Sequence, residues 1–153
     1  MFDTKIPAVE VIKNAIIEIL YEKHPLFTYS GGVDRYSEIR LYDPRVVRKK
    51  GKEPNTKIHA VIRGYDKDVW YFYNRSKLED WVNEYDVKSF VLRDYSYGEL
   101  RYVLRMLKIP EDQVDVSRAN RYMDQERIRI TARKYSIQFI GTVLIDVMVN
   151  HRY

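Results

Sequence analysis

Apolar positions recur at two different periods along this chain, and the changes of period mark its elements. Ile6, Val9, Ile12, Ile16, Ile19 and Leu20 fall on one face at helical spacing. This predicts a helix over 4–23, with Thr4 as cap and Pro7 in the first turn, where a missing N–H costs little. "LFTYSGGVDR" carries the turn pair Gly31-Gly32 and reads as a loop. A short strand around "SEIRLYD" is expected to stop at Pro44, which cannot donate to a ladder. The period then becomes two: Ile58, Ala60 and Ile62 alternate with Lys57, His59, Val61 and Arg63. With "DVWYFYN" after Gly64-Tyr65-Asp66-Lys67, this predicts a hairpin over 56–73.

In "VWYFY", Val69, Tyr71 and Tyr73 point one way and Trp70 and Phe72 the other, so both faces are expected to touch something. Ser76 with Glu79, and Ser96 with Glu99, have capping-box spacing. They predict helices over 76–84, returning Leu78, Trp81 and Val82 to the sheet, and over 97–109, with an apolar stripe of Leu100, Val103, Leu104 and Leu107. Alternation returns in "ERIRITARK", and "IQFIGTVLIDVMV" supplies a long partner strand, giving a hairpin over 126–149 turned at Lys134-Tyr135-Ser136. That last strand carries Phe139, Gly141, Val143, Ile145, Val147 and Val149 on one face, and Ile140, Leu144 and Met148 on the other. Being apolar on both, it is expected at the centre of a sheet or in an interface. The fold class is α+β: an N-terminal helix and two hairpins forming an antiparallel or mixed sheet, with two short helices packed on it. At 153 residues and 45% hydrophobic, the chain is read as a single domain, 1–153, with Trp70, Phe72, Trp81 and Leu104 filling its core.

Charge changes this picture in one place. Between 45 and 57, the six basic residues Arg45, Arg48, Lys49, Lys50, Lys52 and Lys57 face only Glu53, an excess equal to the formal net charge of +5 for the whole chain. With Gly51 and Pro54, the segment reads as a loop or hairpin arm, either a solvated loop or a contact for phosphates or an acidic protein. Absent cysteine excludes disulfides, thiol nucleophiles and thiolate metal sites. No apolar run reaches membrane-spanning length, and charges interrupt the first twenty residues, so a soluble protein made in a cytoplasm and free of membrane partners is expected.

The residues point to no reaction. Gly31-Gly32 lacks the further glycines and the lysine of a phosphate loop, and His24, His59 and His151 have no metal-ligand spacing. Glu111, Asp112 and Asp115 after Pro110 read as a first helical turn, and no serine sits in a nucleophile elbow. Catalytic, metal and cofactor residues are therefore all expected to be absent. Tyrosine stands out instead, with 14 copies beside 5 phenylalanines, and its large area with a polar tip suits protein interfaces.

Three stretches, "NTKIHAVIRGYDKDVWYFYNRSKLEDW", "YSYGELRYVLRMLKIPEDQVDV" and "RIRITARKYSIQFIGTVLIDVMV", together resemble an uncharacterised domain family of virion structural proteins from large tailed bacteriophages. Asn55, Thr56, Ile58 and Ala60 match its first strand, and Tyr73, Asn74, Arg75 and Leu78 match its strand-to-helix junction. Ser136, Phe139, Ile140, Gly141, Thr142 and Val143 match its closing hairpin. The chain departs from the family pattern in its Arg, Lys and Tyr content and its basic arm. The resemblance implies a non-enzymatic virion component, made in the host cytoplasm and packed against other virion proteins and copies of itself in head, neck, tail or baseplate. On this reading Arg45, Arg48, Lys49, Lys50, Lys52, Lys57, Tyr71 and Tyr73 are interface candidates, and Asn74, Arg75 and Ser76 fix the junction. The alternative is a nucleic-acid-binding module in which the basic arm holds phosphates and the aromatic strand stacks bases.

Overall fold

The computed structural model describes residues 7–23, 39–47, 54–63, 69–85, 89–122 and 125–150. The fold is α+β, and its residues group into two compact units that meet in sequence at Arg75 and Ser76. Thr4, the Gly31-Gly32 loop and the turn after Arg63 lie outside the described residues.

The first unit opens with α1 (Ala8–Lys23), and the Pro7 carbonyl accepts from the N–H groups of Glu10 and Val11. Proline therefore stands just before the helix. The buried stripe is narrower than expected, with Ala8, Ile12 and Ile16 inside and Ile19 exposed. Strands β1 (Ile39–Val46), β2 (Thr56–Ile62) and β3 (Val69–Tyr73) form an antiparallel sheet in that order. Ile39, Ile58, Ala60, Ile62 and Tyr73 are among its buried residues, with Thr56 a buried polar one.

Pro44 does not end β1. Tyr42 pairs with His59 and Arg45 with Lys57, so Asp43 and Pro44 together oppose the single residue Ile58. This is a β-bulge, with Asp43 left-handed at φ 49°. The bulge offers Pro44 a place where no ladder N–H is required, and it puts Arg45 on the same face as Tyr42.

The second unit contains β4 (Ser76–Lys77), α2 (Leu78–Asn83), β5 (Ser89–Leu92), α3 (Tyr97–Met106), a single 3-10 turn (Glu111–Gln113), β6 (Val114–Tyr122), β7 (Gln125–Ala132), β8 (Phe139–Ile140) and β9 (Thr142–Val149). The main sheet runs β5-β9-β7-β6, with β5 parallel to β9 and the other pairs antiparallel. The two hairpins thus lie in separate sheets. Strand β9 is central in the sheet, as expected, but only one of its faces is covered: Leu144 and Met148 remain exposed. The long strand is broken at Gly141 (φ 89°): Phe139 and Ile140 leave to pair in parallel with Ser76 and Lys77.

Neither capping box forms its side-chain bond. Ser76 is a strand residue whose N–H donates to the Gln138 carbonyl at 2.8 Å, so α2 begins two residues later. Ser96 occupies the N-cap of α3, but its own N–H is taken by Asp94 Oδ1 at 2.8 Å and its hydroxyl makes no cap bond. At the other end of α3, Lys108 adopts φ 57°, its N–H donates to the Arg105 carbonyl, and the Ile109 N–H donates to the Leu104 carbonyl. This is a Schellman motif with lysine where glycine is usual, sealed by the buried pair Leu104 and Ile109. Trp81 Nε1 donates to the Leu107 carbonyl at 2.9 Å, satisfying another group left over at that helix end, and its ring meets Phe139 edge-on at 5.2 Å. Trp81 and Leu104 are core residues as expected; Trp70 and Phe72 are not.

Candidate functional site

Cross-strand register brings a set of outward side chains together on the first unit's sheet. Tyr42, His59 and Trp70 form one row and Arg45, Lys57 and Phe72 the next, while Arg40 faces Val61 in a third. Trp70 is 39% exposed and Phe72 50%, which corrects their expected place in the core. The inner face of the same strands is filled by Ile58, Ala60 and Ile62 together with Tyr73, leaving Trp70 and Phe72 outside. His59 stacks on Trp70 with centroids 4.9 Å apart, and Tyr42 lies 6.5 Å beyond His59. Lys57 Nζ stands 5.0 Å and the Arg45 guanidinium carbon 5.9 Å from the Trp70 ring centre, near enough for cation–π attraction. The paired outward positions hold no carboxylate. Asp43 lies on the bulge, 3.9 Å from Arg45, with both side chains more than half exposed.

The two interface tyrosines of β3 lie elsewhere. Tyr73 is buried and cannot meet a partner; burial pushes its phenol pKa up. Tyr71 is half-buried and stacked on Tyr73 at 5.9 Å, its pKa raised by burial and by the nearby Glu18 carboxylate. Strand alternation explains both, since odd positions of β3 turn inward. Of the six basic candidates, Arg45 and Lys57 stand opposite each other on the outer face. Arg48, Lys49, Lys50 and Lys52 fall outside the described residues, in the connection closed by the Val47 N–H to Asn55 carbonyl bond at 2.7 Å.

Asn74 and Arg75 belong to a polar joint whose centre is Asn55. The Asn55 side-chain amide donates to the Arg75 carbonyl at 3.2 Å and accepts from the Arg75 N–H at 2.9 Å, reproducing a peptide pair beyond the last register of β2 and β3. The Asn55 N–H donates to Asn74 Oδ1 at 2.8 Å, and Arg75 Nε donates to Thr56 Oγ1 at 2.9 Å. Burial lowers the Arg75 guanidinium pKa. A second joint forms in the other unit. Gln113 Oε1 accepts from the Ser136 hydroxyl and from the N–H groups of Ile137 and Gln138, and Ser136 Oγ accepts from the Phe139 N–H.

Depressions also mark the surface of the second unit. One of about 180 Å³ has a floor of Leu100, Leu104, Val114 and Val116, and its charges are already matched in the pairs Arg101–Glu111 at 2.6 Å and Arg133–Asp115 at 3.1 Å. Another, near 390 Å³, lies by Val91, Tyr102 and Asn150, with Arg93 4.0 Å from Glu99. Among the described residues, no three His, Asp or Glu side chains group to hold a metal ion, and no helix is long and apolar enough to cross a membrane. Among the described residues, the sheet face joins the exposed rings of Tyr42, Trp70 and Phe72 to the cations Arg40, Arg45 and Lys57. Comparison of the chain with protein-family models, with curated proteins and with solved structures finds no match in any of the three.

Sequence reasoning missed Tyr42 and His59 as members of this face. His59 was legible, because the alternation of β2 already set Lys57, His59, Val61 and Arg63 apart from the apolar positions. Tyr42 was not, because the bulge resets the alternation between it and Arg45.

Proposed function

We propose that the protein is a non-enzymatic structural component of a tailed-bacteriophage virion, acting by docking against other virion proteins and copies of itself. One observation carries the reading: five residues that match the phage-virion pattern, Asn55, Thr56, Asn74, Arg75 and Ser136, hold backbone joints through their side chains. Asn55, Thr56, Asn74 and Arg75 form the joint of the first unit, and Ser136 and Phe139 belong to that of the second. Gly141 supplies the positive φ at which β8 departs from β9. A pattern made of such residues preserves a scaffold, and a scaffold with no reacting group serves by being packed against something. Mass spectrometry of purified particles tests this. The expected result is the protein at a stoichiometry comparable to known particle components. Its absence from particles, with abundant protein free in infected cells, overturns the proposal.

A further inference from the structure

The outer face of the β1-β2-β3 sheet has a composition that neither a core nor an ordinary surface calls for. Tyr42, Val61, Trp70 and Phe72 are large and exposed, and they lie among Arg40, Arg45, Lys57 and His59. A free surface gains nothing from exposed tryptophan and phenylalanine, and an apolar protein partner would have to desolvate the cations without matching them. A partner that fits must present flat π-surfaces and negative charge at short intervals. We propose that this face binds single-stranded nucleic acid, with Trp70 and Phe72 stacking bases and Arg45 and Lys57 holding phosphates.

Three observations carry the assignment. The first is shape: three strands about 4.8 Å apart make an open platform roughly 10 Å across, which suits an extended polymer and not an enclosed small molecule. The second is arrangement. Lys57 and Arg45 stand 5.0 and 5.9 Å from the Trp70 ring centre, and His59 is stacked on it, so the ring is held in place beside its cations before any ligand arrives. The third is charge, since no carboxylate occupies the paired outward positions and Asp43 stands at the bulge. Bases in a duplex are already stacked on one another, so a stacking platform selects single strands, whereas cations alone would not discriminate. The inference stands apart from the virion reading, because a particle component and a free module would carry the face equally.

The test uses the whole protein and its tryptophan emission. The chain has two tryptophans, and Trp81 is buried, so a change on ligand addition reports Trp70. Oligothymidylate of about a dozen nucleotides is expected to quench Trp70, with binding several-fold tighter than to a duplex of equal length and weakened by salt. Affinities of the variants are read by the anisotropy of a dye-labelled oligothymidylate, since the Trp70 variants lack the reporting ring: Trp70→Ala and Phe72→Ala should each weaken binding about ten-fold, as loss of a stacked base does, and Trp70→Tyr should restore most of the loss. Both rings are exposed, so unchanged melting of the variants checks their folding; if an alanine variant melts early, Lys57→Gln with Arg45→Gln is read instead, expected to lower affinity and flatten the salt dependence. Equal affinity for single and double strands, unaffected by Trp70→Ala, overturns the proposal. So does self-association that Trp70→Ala abolishes in the absence of any oligonucleotide binding, since the face would then serve a second copy.

Discussion

The Asn55 side chain stands in for a peptide group. Its amide donates to one backbone group of Arg75 and accepts from the other, and its oxygen also accepts from the Thr56 hydroxyl at 2.6 Å. Removing it strands partly buried backbone donors and acceptors, so Asn55→Ala should destabilise the protein by roughly 1–3 kcal/mol in denaturant melts. Asn55→Asp keeps the acceptor and loses the donor, and should cost less. Tyr73 makes a second residue-scale prediction. Its phenol has an ordinary value of 10.0 and is raised by burial, so above about pH 10 the folded state keeps a proton that the unfolded chain releases. Its contribution is complete below that pH and declines as pH rises further. Stability measured from pH 9 to 11 should therefore fall less steeply in Tyr73→Phe than in the unaltered protein.

Elements end here by backbone geometry more than by side-chain caps. Lys108 closes α3 in the left-handed region at φ 57°, where a side chain other than glycine is strained. Lys108→Gly should raise stability by about 0.5–1 kcal/mol, visible as a higher melting temperature. Gly141, at φ 89°, is the opposite case. Open space surrounds the site of an added Cβ, so the cost of Gly141→Ala is conformational and should be a loss of about 1 kcal/mol. The bulge at Asp43-Pro44 has a different consequence, because it sets register: deleting Pro44 leaves Arg45 opposite Lys57 but turns Asp43 to the buried side opposite Ile58, and should lower the melting temperature while the outer face keeps Arg45.

At the scale of the molecule, the second unit has a continuous core from Leu78 to Val147, with Trp81, Phe139 and the buried isoleucines of β7 among its members. Residues 76–153 expressed alone should therefore melt cooperatively with the blue-shifted emission of a buried Trp81; a broad transition with solvent-exposed emission would refute an independent unit. Charge at this scale is uneven, since the excess of +5 equals that of 45–57, and Arg45 and Lys57 belong to both the segment and the sheet face. Changing Arg48, Lys49 and Lys50 together to serine removes three of the positive charges of 45–57 and should lower the long-range attraction to polyanions, most strongly at low salt.

Period along the chain was enough to determine the elements: the α+β class, both hairpins, the helix of 97–109 and the central place of β9 all follow from where apolar residues recur. The weight placed on Asn74 and Arg75 came instead with the resemblance, and their partners Asn55 and Thr56 lie 19 or 20 residues away along the chain. Tertiary structure alone decided which face of each strand is buried when both are apolar. "VWYFY" offers aromatic area on two sides, and only packing showed that Tyr73 goes in while Trp70 and Phe72 stay out. It also decided β5 and β6, since SFVL is short and VDVSRANRY is polar enough to read as a loop until β9 and β7 supply their hydrogen bonds. The capping box at Ser76 failed for the same reason, since its N–H has a nonlocal partner in Gln138, whereas the box at Ser96 lost its N–H to the neighbouring Asp94.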